Sequence, residues 1–148
     1  MMNHRYPKLL IAFFAFTALV WIPWGLYCLF VPEAWSGQVI PGMEVYDVSQ
    51  VAARVEVRAM YGGLQFAIGI FALIAALKPE HRASALLFFT LLMSGLALSR
   101  MAGILIDGSG SPFVFSWQVT PQTYNQVGLT SYEFPFMLWS WFLFVTRK

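Results

Sequence analysis

The chain has 148 residues, of which 59% are hydrophobic, 18% aromatic and 11% charged. A soluble domain carries about 25% charged residues, and a protein this small has a large surface to cover with so few charges. The composition therefore excludes an ordinary soluble domain and indicates an integral membrane protein. The formal net charge of +2 is too slight and scattered for nucleic-acid binding. The length fits one domain, 1–148.

Recognisable catalytic or cofactor motifs are lacking in this sequence. Cys28 is the single cysteine, and the two histidines, His4 and His81, lie far from it in sequence. No spacing typical of metal ligands occurs, and neither does a glycine-rich phosphate loop or a nucleophile elbow. We therefore predict no metal, no cofactor and no catalytic residue.

The first half of the chain contains two long apolar segments. The first, 9–31, has the length of a membrane span, and Pro23 within it predicts a kink near 19–23. A polar stretch follows to about Asp47. A second helix is expected to start near Asp47 or Ser49, both good N-caps, and its membrane part is predicted over 56–77.

The second half also contains two predicted spans. A tight polar turn at 78–82 precedes a third span over 83–106, which the run 107–112 stops. A long aromatic loop follows, with alternation at 114–119 that fits a short strand or an interfacial segment. The last span is predicted over 127–146. The expected fold is all-α, an integral membrane four-helix bundle with two extracytoplasmic loops.

Basic residues predict the orientation of the bundle. They flank the ends that the positive-inside rule assigns to the cytoplasm, so both termini are predicted inside and both long loops outside. Most tryptophans are expected in the interfacial belts, and some of those on the first and last spans could line the bundle. The basic residues concerned are Arg5, Lys8, Lys78, Arg82, Arg147 and Lys148.

Polar residues within the second span are costly in hydrocarbon and so usually face the bundle interior. Four of them fall within a stripe of roughly 60° on a regular helix. Gly62 and Gly69 flank this stripe and would let another helix approach closely, whereas Glu56 lies on the far side. The stripe consists of Arg54, Arg58, Tyr61 and Gln65.

The third and fourth spans add further charges at a similar depth. Arg100 and Asp107 share one face of the third span, and Glu133 lies inside the fourth. Counting 1.5 Å per residue from the outer boundary puts Arg100 and Glu133 within about 10 Å of it, beside the polar stripe. We predict one cluster there, with Glu133 paired to Arg100 or Arg58. Small residues on the third span, at Gly95, Ser99 and Gly103, predict a tight helix contact.

Two interpretations of this cluster remain open. It could simply tie the helices together, since buried ion pairs can set register without a chemical role. It could also be a ligand site, because an arginine fork suits carboxylate or phosphate groups, and a lipid headgroup, a quinone or a small amphiphilic acid would fit. The predicted site comprises Arg54, Glu56, Arg58, Tyr61, Gln65, Arg100, Asp107 and Glu133.

Three segments carry a family resemblance. The patterns E-x-R-x-x-Y-G at 56–62 and R-x-x-G-x-x-x-D-G at 100–108, with Tyr132-Glu133 before the last span, resemble an uncharacterised family of small four-span bacterial membrane proteins that is distantly similar to DoxX-like proteins. The resemblance implies a multi-pass protein of the bacterial cytoplasmic (inner) membrane. DoxX-like proteins are accessory subunits of quinone-linked or thiol redox complexes, and the missing cysteine pair speaks against a thiol role.

Three functions follow as hypotheses. The first is a non-enzymatic accessory subunit or a module that binds a lipid, a quinone or a small amphiphile, within a larger membrane complex or a homo-oligomer. The second is a membrane enzyme acting on a lipid or quinone, with Glu133 as acid/base and Tyr61 as proton donor. The third is an oligomeric transporter or channel, which the apolar run 86–92, with Thr90 as its one polar residue, disfavours for a single copy.

Overall fold

The computed structural model describes residues 5–36, 47–106 and 124–147, and every regular element within them is helical. Four long helices form a bundle, as predicted for an all-α protein, and two short 3-10 turns, Pro32–Ser36 and Pro79–His81, follow the first and second of them. The helices are α1 (Pro7–Phe30), α2 (Val51–Leu77), α3 (Arg82–Ile106) and α4 (124–145).

The first two helices begin at residues that suit a helix start. Pro7 occupies the first turn of α1, where a missing N–H costs no hydrogen bond, and the helix continues through Pro23. Helix α2 follows Gln50 rather than Asp47 or Ser49, and Gln50 makes no side-chain cap. Asp47 instead accepts hydrogen bonds from Ser49 and Gln50, which shapes the turn that leads into the helix.

Two sequence predictions concern segments that the structure does not describe. The strand or interfacial segment at 114–119 lies outside the described residues, and so does most of the first loop, 37–46. Asp107, a member of the predicted polar cluster, also lies outside them.

Helices α1 and α2 pack backbone against backbone through glycines. A Cβ atom added to Gly25 would lie 2.5 Å from the backbone nitrogen of Phe66, and one added to Gly69 would lie 2.8 Å from that of Ile22. A Cβ on Gly62 would likewise meet the Cα of Leu29 at 2.9 Å. The prediction that Gly62 and Gly69 admit a close helix neighbour is therefore confirmed.

Within the described bundle, the small-residue stripe of α3 makes no such contact, so the tight helix contact predicted for it is not found there. A Cβ added to Gly95 or to Gly103 would meet nothing within 4 Å among the described residues, and Gly95 and Ser99 are exposed. The reason is rotational, since α3 turns a different face, with Ala97 and Ile104, onto α4. The stripe borders an open groove on the outside of the bundle.

The bundle is built from two helix pairs, α1 with α2 and α3 with α4. The pairs meet in an aromatic core at the end that holds the turn Pro79–His81. There the ring of Phe13 lies 6.0 Å from that of Phe89 and 5.8 Å from that of Phe136. This core joins α1, α3 and α4 firmly at one end of the molecule.

Three of the four helices, α1, α2 and α3, are long and apolar enough to cross a membrane. Helix α4 is not among them, because its first half carries polar residues such as Tyr132 and Glu133 before the apolar segment Phe134–Val145. The described chain is thus a helical membrane protein by length and composition, and the passage of α4 through the membrane stays a prediction.

Candidate functional site

A cavity of about 420 Å³ lies between the two helix pairs, at the end opposite the aromatic core. This volume is within the range of about 300–1,000 Å³ typical of small-molecule sites. All four helices and the turn Pro32–Ser36 contribute to its walls. The lining residues are Val20, Trp21, Trp24, Trp35, Tyr61, Gln65, Leu96, Arg100, Tyr132 and Glu133.

An ion pair between α3 and α4 forms one wall of the cavity. Arg100 Nε donates to Glu133 Oε2 at 2.7 Å, and Arg100 Nη2 lies 2.7 Å from Glu133 Oε1. The Glu133 side chain is 7% exposed and that of Arg100 is 28% exposed. Two parallel contacts are the fork geometry in which arginine binds a carboxylate most strongly. The prediction that Glu133 pairs with Arg100 or Arg58 is confirmed for Arg100.

A hydrogen bond joins the two helix pairs beside this ion pair. The indole Nε1 of Trp21, on α1, donates to the hydroxyl of Tyr132, on α4. The Tyr132 ring also packs on Phe136, with 4.7 Å between ring centroids. Tyr132 therefore connects the wall of the cavity to the aromatic core beneath it.

The opposite wall is aromatic and belongs to the α1–α2 pair. The turn Pro32–Ser36 brings Trp35 back against α1, where its Nε1 donates to Cys28 Sγ at 3.4 Å. The Trp35 ring lies 4.1 Å from that of Tyr61 and 6.1 Å from that of Trp24, measured between centroids. Trp35 is 4% exposed, so this tryptophan is packed inside the protein.

Sequence reasoning missed Trp35 and Tyr132 as individual members of the site. The available signal for Trp35 was its closeness to the end of α1, which lets a short turn fold the ring back onto the helix. For Tyr132 the signal was its place directly beside Glu133.

Helices α2 and α4, which both line the cavity, each contain a wide π-helical turn. These are Val57–Gly63 in α2 and Leu129–Glu133 in α4. In α4 the wide turn ends two residues before Pro135, which has no N–H to donate and whose ring would clash with the carbonyl four residues earlier in a regular helix. Single wide turns of this kind are frequent at functional sites.

The wide turn of α2 explains why the polar residues predicted to share one face of this helix do not all face the cavity. Where hydrogen bonds reach five residues back, each residue advances by less than the usual 100°. Arg58 and Tyr61 therefore separate around the helix. Tyr61 and Gln65 line the cavity, whereas Arg58 is exposed and its Nε donates to the carbonyl of Leu29 at 3.2 Å.

The remaining members of the predicted cluster lie away from the cavity or outside the described residues. Arg54 Nη1 donates to the carbonyls of Val48 and Ser49, at 2.8 Å each, and so braces the start of α2. Glu56 is exposed. Of the eight predicted residues, the structure brings four together around the cavity: Tyr61, Gln65, Arg100 and Glu133.

Metal ligands do not cluster in the part of the chain that the structure describes. Within residues 5–36, 47–106 and 124–147, no group of three or more His, Cys, Asp and Glu side chains could hold a metal ion. The chemistry that the lining offers is hydrogen bonding, ring stacking and one fixed ion pair.

The fold and the cavity together define a helical membrane protein with a partly open, mostly apolar cavity between two helix pairs, lined on one side by an ion pair. The sequence profile of a family described as a domain of unknown function, DUF4345, matches residues 9–120, and the chain belongs to this family. This agrees with the expectation of an uncharacterised family. No curated protein and no solved structure matches the chain.

Proposed function

We propose that the protein is a membrane-embedded binding module for a small amphiphile of the lipid or quinone type, whose headgroup enters the cavity. The observation that carries this proposal is the cavity itself, with an aromatic wall on one helix pair and the Arg100–Glu133 ion pair on the other. Helices apolar enough to cross a membrane surround it, so an apolar tail would extend into lipid. An accessory subunit of a larger membrane complex would use the site in the same way.

The proposed setting is the bacterial cytoplasmic membrane, with α4 as a fourth span and both termini in the cytoplasm. Basic residues support this orientation, since Lys78 and Arg82 flank the turn at the aromatic-core end. The positive-inside rule assigns such an end to the cytoplasm. The cavity, at the opposite end, would then open in the outer half of the membrane.

Native mass spectrometry after gentle detergent extraction tests the binding role. The wild-type protein is expected to carry an amphiphile as a bound mass. The Leu96 side chain lines the cavity, so the larger ring of Leu96→Trp should fill it and remove that mass. Leu91→Trp is the matched control, since Leu91 is 62% exposed on the same helix. Equal retention in both variants, or no bound mass in the wild type, would contradict the proposal.

A membrane enzyme acting on a lipid or quinone is the second candidate. The observation in its favour is that the cavity reaches both Glu133 and Tyr61, the proposed acid/base and proton donor. Against it, Arg100 engages both carboxylate oxygens of Glu133. The enzyme hypothesis predicts that the bound amphiphile is converted on incubation to a product of different mass. It also predicts that Glu133→Gln stops this conversion without releasing the amphiphile.

An oligomeric transporter has less support. Thr90, buried on α3, donates to the carbonyl of Leu86 at 2.7 Å, and phenylalanines fill the surrounding interior. This packing argues against a polar path through one copy.

A further inference from the structure

We infer that the cavity takes a headgroup without net charge, namely a planar ring that carries a hydrogen-bond acceptor. This inference rests on the proposed binding role and narrows it to one chemical class. A neutral headgroup differs from the anionic headgroup that the arginine-rich cluster predicted from the sequence would favour. Three features of the lining lead to it: charge, shape and hydrogen-bonding capacity.

Charge is the first feature. Among the described residues that line the cavity, Arg100 and Glu133 are the ionised ones, and they bind each other through two contacts of 2.7 Å. An anion placed there would be attracted by Arg100 and repelled by Glu133, whose charged groups lie 2.7 Å apart, and a cation would be attracted by Glu133 and repelled by Arg100. An ion of either sign would therefore gain little while the pair is closed, and opening the pair strands the partner's charge. Arg58, the second arginine of an anion clamp, turns instead to the Leu29 carbonyl.

Shape is the second feature. The cavity is a gap between two helix pairs, and one side of it consists of ring systems from α1, α2 and the turn after α1. Trp35 lies between Trp24 and Tyr61, so the rings form a continuous wall. Aromatic side chains bind another ring well in offset or edge-on geometry. A flat ring would fit between this wall and the ion pair.

Hydrogen bonding is the third feature. Gln65 lies one turn beyond Tyr61 on α2, is half-buried and lines the cavity. Its side-chain amide supplies two N–H donors and one acceptor. A carbonyl or amide group on the ring would pair with this amide, which keeps both partners neutral.

The test uses three amphiphiles that share a ring and a tail and differ in charge. They are para-decylbenzamide (neutral), para-decylbenzoate (negative) and para-decylbenzamidine (positive at neutral pH). Their dissociation constants are measured by calorimetry on the full-length protein in a non-ionic detergent. The wild-type protein should bind the benzamide at least about tenfold more tightly than either charged analogue.

A variant that adds a charge to the cavity should change which of the three amphiphiles binds most tightly. Gln65→Lys should reverse the order in favour of the benzoate, because it adds an uncompensated positive charge to the cavity. Gln65→Met is the matched neutral control and should weaken the benzamide while keeping it ahead of the charged analogues. Tetradecanamide, which has the amide and no ring, should bind more weakly than the benzamide.

The measurements distinguish a failure of the neutral-headgroup inference from a failure of the proposed binding role. If a charged analogue binds to the wild-type protein as tightly as the benzamide, the inference of a neutral headgroup is wrong and the binding role stands. If tetradecanamide equals the benzamide, the ring is not recognised and the inference fails on shape. If no probe binds and Leu96→Trp changes no bound mass, the proposed binding role itself fails.

Discussion

Glu133 on α4 holds Arg100 on α3 through both carboxylate oxygens, although the residues are 33 positions apart in the sequence. The pair lines the cavity, next to the apolar contacts that Ala97, Ile104 and Leu129 make between the same two helices. It therefore ties the α3–α4 pair together at the end where the aromatic core does not reach.

Glu133→Gln should destabilise the protein by roughly 3 kcal/mol, because it removes the buried carboxylate charge that Arg100 binds. The measurement is the thermal unfolding midpoint in detergent. Glu56→Gln is the control, since Glu56 is exposed on α2 and surface substitutions change stability by about 0.5 kcal/mol or less. Equal midpoints for Glu133→Gln and the wild type would show that the ion pair does not stabilise the bundle.

The Trp21–Tyr132 hydrogen bond should couple the two helix pairs. Tyr132→Phe and Trp21→Phe each remove this bond, so each is expected to lose about 1 kcal/mol from it. The double variant should lose less than the sum of the two single variants, as a double-mutant cycle on unfolding free energies would show. Simple additivity would mean that the bond contributes nothing to stability.

Gly25→Ala should cost about 2 kcal/mol, the usual effect of forcing a methyl group into a packed interior. The added Cβ would lie 2.5 Å from the Phe66 backbone nitrogen, so α1 and α2 must move apart. Gly95→Ala is the matched substitution on the open side of α3, where no described residue lies within 4 Å of the added Cβ. It should leave stability unchanged or raise it by up to about 1 kcal/mol, since alanine favours the helix. A similar midpoint shift for both variants would contradict the close packing of α1 and α2.

Asp47 should make the start of α2 sensitive to acid. Hydrogen bonds from the Ser49 hydroxyl, the Gln50 amide and the Ser49 backbone N–H lower the pKa of the Asp47 carboxyl. A carboxyl with a lower pKa in the folded state stabilises that state above its unfolded pKa, about 3.9. This stability is lost as the pH falls through the folded value.

Hydrogen exchange of residues 49–54, corrected for the intrinsic pH dependence, would report the loss. Asp47→Asn should show the same protection at every pH, because an amide does not titrate in this range. Parallel pH profiles for the wild type and Asp47→Asn would rule out a role for this carboxylate.

The fold was largely predictable because its signals are local. Apolar length predicts the helices, and the polar run at 78–82 predicts the turn between α2 and α3. Depth counting at 1.5 Å per residue was enough to place Arg100 and Glu133 at one level, and the structure confirms that they pair.

The membership of the site was only partly predictable, since it depends on rotation about the helix axes. A stripe drawn on a regular helix places Arg58 with Tyr61, and the wide turn Val57–Gly63 separates them. The face that α3 turns to α4 is likewise a matter of packing between helices, so the spacing of Gly95, Ser99 and Gly103 could not reveal that their stripe faces outward.

The wide turns in α2 and α4 set how the side chains before each turn are rotated about the helix axis relative to the side chains after it. Each turn holds more residues than a regular one, so the residues before it are rotated relative to those after it. Deleting one residue from 57–63 would turn the first part of α2 by about 100° while the glycine contact at Gly69 stayed in place. Insertions and deletions there would therefore change which side chains face the cavity without disturbing the aromatic core, which makes these turns the points where relatives could diverge in ligand while keeping one scaffold.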